Sequence, residues 1–318
     1  MWIPLKEAGD MLLAAKNIVI TAHVNPDGDA IGSCLGMMHY LRGIGKNVRV
    51  LIDDDIPKNF SVLPGVENID RPSEVGSEKE TADVLLILDT NIERVGAVRE
   101  SVSATQVLNI DHHVTNDLSC QAVYLDSDSA ATAEIIYRLL KEMKAKMTKE
   151  IAMAVYTGIA TDTGFFRFPN TTPFTMRAAA ELVEYGAEPG IISEAVEAKP
   201  FERIVQMAKA VETTELFYDG KLAGIFLNRA AAEQFDSTEG LIDALRAVEE
   251  SDISLLLKWK SEGVFRISMR SKKTDVSCIA ADFSGGGHER AAGCTLKMTF
   301  EEAKRTILEA IGKALEKK

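Results

Sequence analysis

Acidic and histidine side chains follow three apolar runs of the sequence, at the point where each run ends. The first run ends in His23 and is followed by Asp27 and Asp29, while the other two lead into Asp89 and the triplet Asp111–His113. Runs that are apolar throughout are typical of strands in a parallel sheet. Because ligands bind beyond the carboxyl ends of such strands, we expect these side chains to converge on one site.

The expected site contains carboxylate and imidazole groups and no sulfur. Such groups suit Mn²⁺, Mg²⁺, Zn²⁺ or Fe²⁺. A cluster of this density would repel itself unless cations neutralised it. Two divalent ions bridged by one carboxylate, roughly 3.5–4 Å apart, would neutralise it and would hold a phosphoryl oxygen. Each residue taken alone also fits a structural role, but the joint pattern favours metal-dependent chemistry on a phosphate.

Gly28 lies between two of the acidic residues. A glycine at this position permits a tight turn that lets both Asp27 and Asp29 point into the site. Asp29 is also predicted to cap the helix expected over Asp29–Gly43, since the N-terminus of a helix favours anions.

Composition restricts the class of protein and of partner. The 318 residues correspond to about two domains, and 36 basic against 48 acidic residues give a net charge of −12. That charge disfavours a protein that coats long nucleic acid, because such proteins are usually basic. The four cysteines form no CxxC or CxC pair, and no apolar run reaches the ~18 residues of a membrane span. We expect a cytoplasmic protein with no membrane partner and no long duplex nucleic acid as partner.

The pattern of apolar runs predicts an α/β protein with two domains. Residues 1–186 are expected to form a mainly parallel sheet with helices on both faces, and residues 187–212 a helical linker. Residues 213–318 are expected to form a smaller α+β domain, with the substrate cleft between the two. The predicted strands of the first domain are Asn17–His23, Val48–Ile52, Val84–Leu88, Val107–Ile110 and Ala122–Leu125.

Two hairpins are predicted in the second domain. Asp219-Gly220 separates Thr214–Tyr218 from Leu222–Leu227, and Ser261-Glu262-Gly263 separates Ile253–Trp259 from Val264–Met269. Alternation along the last of these strands places Arg266, Ser268 and Arg270 on one face.

A phosphate-binding region is predicted in the same domain. Arg270 suits bidentate binding of phosphate. The glycines Gly285, Gly286 and Gly287 let a backbone approach a phosphate closely, and His288 adds a donor. The same residues also fit a solvated edge strand and a turn, and the metal cluster in the other domain favours the phosphate interpretation.

The motifs, in order and spacing, resemble those of the DHH phosphoesterase superfamily. The matching runs are His23-Val-Asn-Pro-Asp27-Gly-Asp29-Ala-Ile-Gly-Ser33, Asp89-Thr90, Asp111-His112-His113-Val-Thr-Asn116 and Thr161-Asp162-Thr-Gly164. The run Gly285-Gly-Gly-His288-Glu-Arg-Ala-Ala-Gly293 resembles the signature of the DHH-associated C-terminal domain. The short two-domain form is most similar to the bifunctional oligoribonucleases and PAP phosphatases.

The resemblance implies a role for each matching position. Two divalent ions are expected, with Mn²⁺ as the usual metal and Mg²⁺ as a possibility. One ion would be held by His23, Asp27 and Asp89. The other would be held by Asp29, Asp89, His112 and Asp162, so that Asp89 bridges both ions.

The resemblance also implies how the substrate is bound. His113 would face the substrate, Asp111 would orient the histidine pair, and Asn116 would lie near the phosphate. The second domain would hold the nucleotide. Phe165 departs from the small or polar residue common in related sequences; it is expected to pack in the core, or else to stack on a base.

The function implied is hydrolysis of short RNA oligonucleotides to mononucleotides, of 3′-phosphoadenosine 5′-phosphate (PAP) to AMP, or of both. The alternative is the same chemistry on linear or cyclic dinucleotides such as pApA or cyclic di-AMP. An inorganic pyrophosphatase shares the metal motifs, and a nucleotide-binding regulator without turnover is a further hypothesis. The resemblance also implies a homodimer.

Overall fold

The chain divides into two units, Met1–Ala198 and Lys199–Lys318. The structure is a computed structural model that describes residues 1–74, 79–235, 238 and 240–316. The boundary between the units falls within the stretch 187–212 that the sequence predicts as a linker. Among the described residues, no helix is both long enough and apolar enough to cross a membrane.

The first unit contains a sheet of six strands, and every neighbouring pair is parallel, as predicted. The strand order is β3-β2-β1-β4-β5-β6. From β1 the chain adds strands first on one side, as β2 and β3, and then on the other side, as β4, β5 and β6. The switch point therefore lies between β1 and β4, and ligands bind at such a point in open α/β sheets. The strands are β1 (Asn17–Thr21), β2 (Asn47–Leu51), β3 (Ile69–Asp70), β4 (Glu80–Leu88), β5 (Val102–Asp111) and β6 (Ala122–Leu125).

Apolar residues cover both faces of this sheet. The larger core lies between one face and the long helices, and a smaller core packs the other face against residues 92–101. The helix predicted over Asp29–Gly43 is present, whereas the first helix and the two-residue β3 were not predicted. The helices are α1 (Leu5–Ala14), α2 (Gly28–Gly43), α3 (Val98–Ser101), α4 (Thr132–Glu142), α5 (Lys149–Asp162), α6 (Pro173–Glu184) and α7 (Pro189–Glu197).

Helices α2 and α5 pack closely because glycines face each other's backbone. A β-carbon on Gly32 would lie 2.4 Å from the carbonyl oxygen of Ala154 and 2.8 Å from the amide nitrogen of Gly158, both in α5. Neither distance is sterically possible. The glycines therefore bring the start of α2 next to the end of α5, and α2 begins directly after Asp27.

The second unit contains a sheet in the order β11-β12-β10-β9-β8-β7. Both predicted hairpins are present as antiparallel pairs, while β8 and β9 pair in parallel. The strands are β7 (Glu215–Phe217), β8 (Leu222–Leu227), β9 (Ile253–Ser261), β10 (Val264–Ser271), β11 (Gly286–His288) and β12 (Ala291–Lys297).

Helices cover the two faces of the second sheet unequally. Residues of α11 and α12 pack against one face of the sheet and form a core with it. On the other face of the sheet, α8 and α10 pack mainly over β8 and β9. The sequence pattern predicts a helix over Thr238–Glu250, whereas the helix in the structure is the shorter Leu241–Arg246. The second residue of the predicted range lies outside the described residues. The helices are α8 (Phe201–Glu212), α9 (Arg229–Ala232), α10 (Leu241–Arg246), α11 (Val276–Ala281) and α12 (Phe300–Glu316).

Candidate metal centre

One group of potential metal ligands lies where β1 and β4 end. The Nε2 atom of His23 lies 3.8 Å from Oδ2 of Asp27 and 3.5 Å from Oδ2 of Asp89. The other ring nitrogen, Nδ1, is 2.9 Å from the carbonyl oxygen of Val24. That contact orients the ring, so Nε2 is left to face the two carboxylates, as in histidines that bind metals.

The turn between β1 and α2 differs from the prediction. Asp27, not Asp29, caps α2, because its Oδ1 accepts hydrogen bonds from the amides of Asp29 and Ala30 at 3.0 and 3.1 Å. Gly28 belongs to the helix, and its φ is not positive. A β-carbon on it would lie 2.4 Å from Oγ1 of Thr161, so this glycine permits the approach of α5 and does not shape a left-handed turn.

A second group of potential ligands surrounds His112. Its Nε2 lies 3.9 Å from Oδ2 of Asp29 and 3.6 Å from Oδ2 of Asp162. Its Nδ1 lies 3.3 Å from the carbonyl oxygen of Ser129, which again leaves Nε2 facing the carboxylates. Asp162 is the last residue of α5, and the close packing of that helix on α2 brings it to the group.

Asp89 faces both groups. Its Oδ2 is turned towards His23, and its Oδ1 lies 3.6 Å from Nε2 of His112. The residue is 1% exposed and has a φ of +61°, a backbone conformation that is costly for a residue other than glycine. The carboxylate at the centre of the cluster is therefore held in a strained and buried position.

The electrostatics of the cluster fit a divalent cation. Burial and the neighbouring carboxylates of Asp29 and Asp27 raise the pKa of Asp89 well above its usual value. Burial and the same two carboxylates raise the pKa of Asp162 to about 8. Such repulsion is removed when a cation binds between the oxygens. Three overlapping sets of donors meet the geometry of a metal site, namely His23, Asp27 and Asp89; Asp29, His112 and Asp162; and Asp89, His112 and His113.

His113 lies beside the cluster and is fixed by Asp111. Its Nδ1 is 2.8 Å from Oδ1 of Asp111, and the same oxygen accepts the amide of His113 at 3.1 Å. The hydrogen bond that His113 donates to Asp111 raises the pKa of His113, against the effect of burial. Burial opposes ionisation of Asp111, yet the contact with His113 and the hydrogen bond from Asn116 hold its pKa below the usual value.

Asn116 is occupied within the protein. Its Nδ2 donates to Oδ1 of Asn109 at 2.8 Å and to Oδ2 of Asp111 at 2.7 Å. Both amide hydrogens are used, so neither is left for the phosphate near which the resemblance placed this residue. Asn109, which the sequence did not single out, is 1% exposed and donates to the carbonyl oxygens of Ile87 and Thr90 at 3.1 and 2.7 Å. These two residues tie Asp111 to the end of β4.

Phe165 follows α5 and packs against the core of the first unit. It and Phe166 have φ values of +55° and +65°. The side chain is half-buried, in line with the packing interpretation.

Four of the six predicted phosphate-binding residues of the second unit lie on one face of its sheet. Ser268 of β10 and Gly286 of β11 both pair with Gly293 of the strand between them, β12. Two residues further along, Arg270 and His288 both pair with Ala291 of β12. Residues paired across antiparallel strands point to the same face. β10 is a central strand and not the edge strand of the alternative interpretation.

The three consecutive glycines differ in what surrounds them. A β-carbon on Gly285 would lie 2.3 Å from the carbonyl oxygen of Gly293, and one on Gly287 would lie 2.4 Å from that of Ala291. These two glycines are therefore required by strand packing. A β-carbon on Gly286 would meet nothing within 4 Å, so this is the position at which a ligand has room to approach the backbone.

Two family models match this chain. Residues 17–159 match the DHH family, N-terminal domain, and residues 225–317 match the DHHA1 domain. The chain belongs to the DHH family and is a phosphoesterase, that is, a hydrolase of phosphoric ester bonds. Phosphoesterases of this family depend on metal ions, and the three donor sets given above could bind them.

Individual relatives extend the comparison over the whole chain. The bifunctional oligoribonuclease and PAP phosphatase NrnA of Thermus thermophilus is 35% identical and aligns over 99% of this chain and 95% of its own. The cyclic-di-AMP phosphodiesterase PdeA of Listeria monocytogenes is 25% identical over 95% of this chain but only 48% of its own. The crystal structure of an exopolyphosphatase-related protein from Bacteroides fragilis superimposes with a TM-score of 0.86 at 28% identity, over 97% and 95% of the two chains.

Proposed function

We propose that this phosphoesterase hydrolyses short RNA oligonucleotides to mononucleotides and PAP to AMP. The observation that carries the proposal is a pair of neighbouring donor sets, which are His23, Asp27 and Asp89, and Asp29, His112 and Asp162. Oδ1 of Asp89 lies 3.6 Å from Nε2 of His112 in the second set, and the chain is 35% identical to an enzyme with both named activities. The relative aligns over nearly its full length, so both units of this chain have counterparts in it.

Two divalent ions, with Mn²⁺ preferred over Mg²⁺, complete the proposed site. His23, Asp27 and Asp89 would hold one ion. Such ions supply Lewis acidity that neutralises charge developing on phosphoryl oxygens. The other ion would be held by a set that shares one residue with the first, namely Asp29, Asp89, His112 and Asp162.

His113 would donate a proton or a hydrogen bond from Nε2 to the substrate. Because Nδ1 is engaged by Asp111, Nε2 is the ring atom left for a phosphoryl or leaving-group oxygen. Asp111 fixes the direction of the ring, and Asn116 and Asn109 fix Asp111. We therefore assign Asn116 a positioning role and not a substrate contact.

The open face of the second unit, which we define as the face of its sheet that carries Ser268, Arg270, Gly286 and His288, would bind the rest of the substrate. Arg270 would provide a cationic donor to phosphate, and Ser268 and His288 would provide hydroxyl and imidazole donors from the same face. The amide beside Gly286 has room to approach a phosphate oxygen.

Hydrolysis of linear or cyclic dinucleotides is the second candidate function. The similarity to PdeA supports it, because that enzyme is named for cyclic di-AMP. The lower identity to PdeA places this function after the first. The same donor sets would perform the reaction on either class of substrate.

A substrate panel tests the proposal. The purified protein with Mn²⁺ is incubated with 5′-labelled RNA of two to five nucleotides, PAP, pApA and cyclic di-AMP. We expect mononucleotides from RNA and AMP from PAP at higher kcat/KM than turnover of the dinucleotide messengers. Preference for cyclic di-AMP would transfer the proposal to the second function, and absence of turnover on all substrates would favour a regulator.

A matched pair of variants controls the panel. Asp89→Asn removes the shared carboxylate, and Asp83→Asn makes the same substitution near the opposite end of β4, where the side chain accepts the amides of Lys16 and Asn17. Only Asp89→Asn is expected to abolish turnover. Equal activity in the two variants would refute the assignment of Asp89.

Assembly and location are further parts of the proposal. We propose a cytoplasmic homodimer, and the four cysteines, which are all free thiols, agree with a reducing compartment. Light scattering coupled to size-exclusion chromatography gives the mass in solution, and a mass of one chain would remove the dimer from the proposal. A filter-binding titration with long duplex RNA is expected to show no binding at physiological salt.

A further inference from the structure

The first turn of α4 contacts two of the proposed metal ligands, although none of its own residues belongs to the three donor sets. The amides of Thr132 and Ala133 donate to Oδ2 and Oδ1 of Asp29 at 2.6 and 2.7 Å. The hydroxyl of Thr132 donates to Oδ1 of Asp89 at 3.0 Å. Thr132 is completely buried and both carboxylates are 1% exposed, so water does not offer a substitute donor.

The loop before α4 contacts a third proposed ligand. The carbonyl oxygen of Ser129 lies 3.3 Å from Nδ1 of His112. Arg138 contacts two residues of this loop, because its Nη2 donates to Oδ2 of Asp126 at 2.5 Å and also to Oγ of Ser129. Arg138 lies on α4, so one continuous segment holds the loop and the helix start together.

We propose that this segment, residues 126–138, is a positioning element that sets the affinity of the site for divalent ions, and that Thr132 contributes most. This inference rests on the proposed function, because the divalent ions concerned are those that the proposed hydrolysis requires. Two amides aimed at one carboxylate fix both of its oxygens, and the helix N-terminus favours the ionised form. The hydroxyl of Thr132 fixes the shared carboxylate in the same way.

The proposal is tested by metal binding to the full chain without substrate. Mn²⁺ is titrated calorimetrically into metal-free Thr132→Val, which keeps the shape but lacks the hydroxyl, and into Thr132→Ser, which keeps the hydroxyl. Changes to groups that hold a metal ligand typically cost about 10–100-fold in affinity. We expect a loss of that size in Thr132→Val and near wild-type affinity in Thr132→Ser, with similar melting temperatures of the two metal-free proteins.

Wild-type Mn²⁺ affinity in Thr132→Val would overturn the proposal. Equal losses of affinity and melting temperature in the two variants would also overturn it, because a packing role would then explain both. Since no substrate is present, loss of affinity in Thr132→Val together with failure of the substrate panel would reject the proposed function and leave the positioning role intact.

Arg138 provides the second arm of the test. Arg138→Met is expected to weaken Mn²⁺ binding less than Thr132→Val does, because it acts through the loop. The control is Arg99→Met, which removes an arginine of the same unit whose ion pair is with Glu93. An equal effect of Arg99→Met and Arg138→Met would remove Arg138 from the positioning element.

Discussion

The candidate metal centre of the first unit and the open face of the second are built in different ways. In the metal centre, Asp29 and Asp89 are 1% exposed and each accepts hydrogen bonds from α4. On the open face, Gly286 and His288 are exposed and belong to the three-residue strand β11. One site is fixed by its surroundings before a ligand arrives, and the other is accessible.

This difference separates two tasks. Charges act strongly where water is excluded, so a buried and fixed cluster is suited to stabilise charge that develops during a reaction. Donors that water reaches make weaker contacts, because water screens their charges. We therefore expect changes in the first unit to reduce kcat and changes in the second unit to raise KM.

The largest effect is expected for Asp89→Asn. Loss of the shared carboxylate should lower Mn²⁺-dependent hydrolysis by more than the roughly 10–100-fold typical of groups that only hold a ligand. The metal-free variant should melt no lower than wild type, because burial and the neighbouring carboxylates raise the pKa of Asp89, and an acid with a raised pKa in the folded state costs stability at neutral pH. Initial rates and calorimetry in chelator check both statements; a lower melting temperature would contradict the second.

The next effect in size is expected for His113→Gln. A positioned proton donor contributes about 10²–10⁴-fold to a rate, so kcat should fall within that range while Mn²⁺ affinity is retained. Steady-state kinetics beside a Mn²⁺ titration separate the two quantities. If Mn²⁺ affinity fell as far as kcat, His113 would be a metal ligand, as one of the three donor sets allows.

A smaller effect is expected for Arg270→Met in the second unit. A hydrogen bond to a charged group is worth ~1.5–3 kcal/mol, which corresponds to roughly 10–100-fold in KM, and kcat should stay close to wild type. Arg266→Met is the control, since Arg266 is exposed on the same face of β10. A fall in kcat without a rise in KM would break the proposed division between the two units.

The smallest effect is expected for Gly286→Ala. The added methyl group has free space in the protein, so the melting temperature should not change, while KM should rise if a phosphate approaches this backbone. Gly285→Ala should lower the melting temperature, because its β-carbon would meet the carbonyl oxygen of Gly293. Unchanged KM in Gly286→Ala would leave this glycine without a binding role.

Strand ends were the part of the site that the sequence could predict. His23, Asp89 and Asp111 follow apolar strands, and topology alone brings the ends of neighbouring parallel strands together. Asp162 was reached only through the family resemblance. It ends a helix, and its place depends on the contacts of Gly32 and Gly158, which sequence spacing does not reveal.

Contacts made by backbone groups could not be predicted. The amide of Thr132 reaches Asp29 across 103 residues of sequence, and an amide carries no signature of residue type. For a similar reason β11 and β12 were missed, since glycine and alanine dominate both strands and leave a weak alternation of apolar residues. The roles of Asp27 and Asn116 depended on which of several polar neighbours each side chain reached.

The glycine contacts between α2 and α5 have a consequence for ion selection. Gly32 lies one turn after Asp29, and Gly158 lies one turn before Asp162. The separation of the two helix axes therefore determines how far apart these carboxylates lie. Proteins discriminate among hard cations by the size of the cavity that the oxygens enclose. A methyl group added at Gly32 has no room and would force the two helices apart, so we expect it to change which divalent ion binds best.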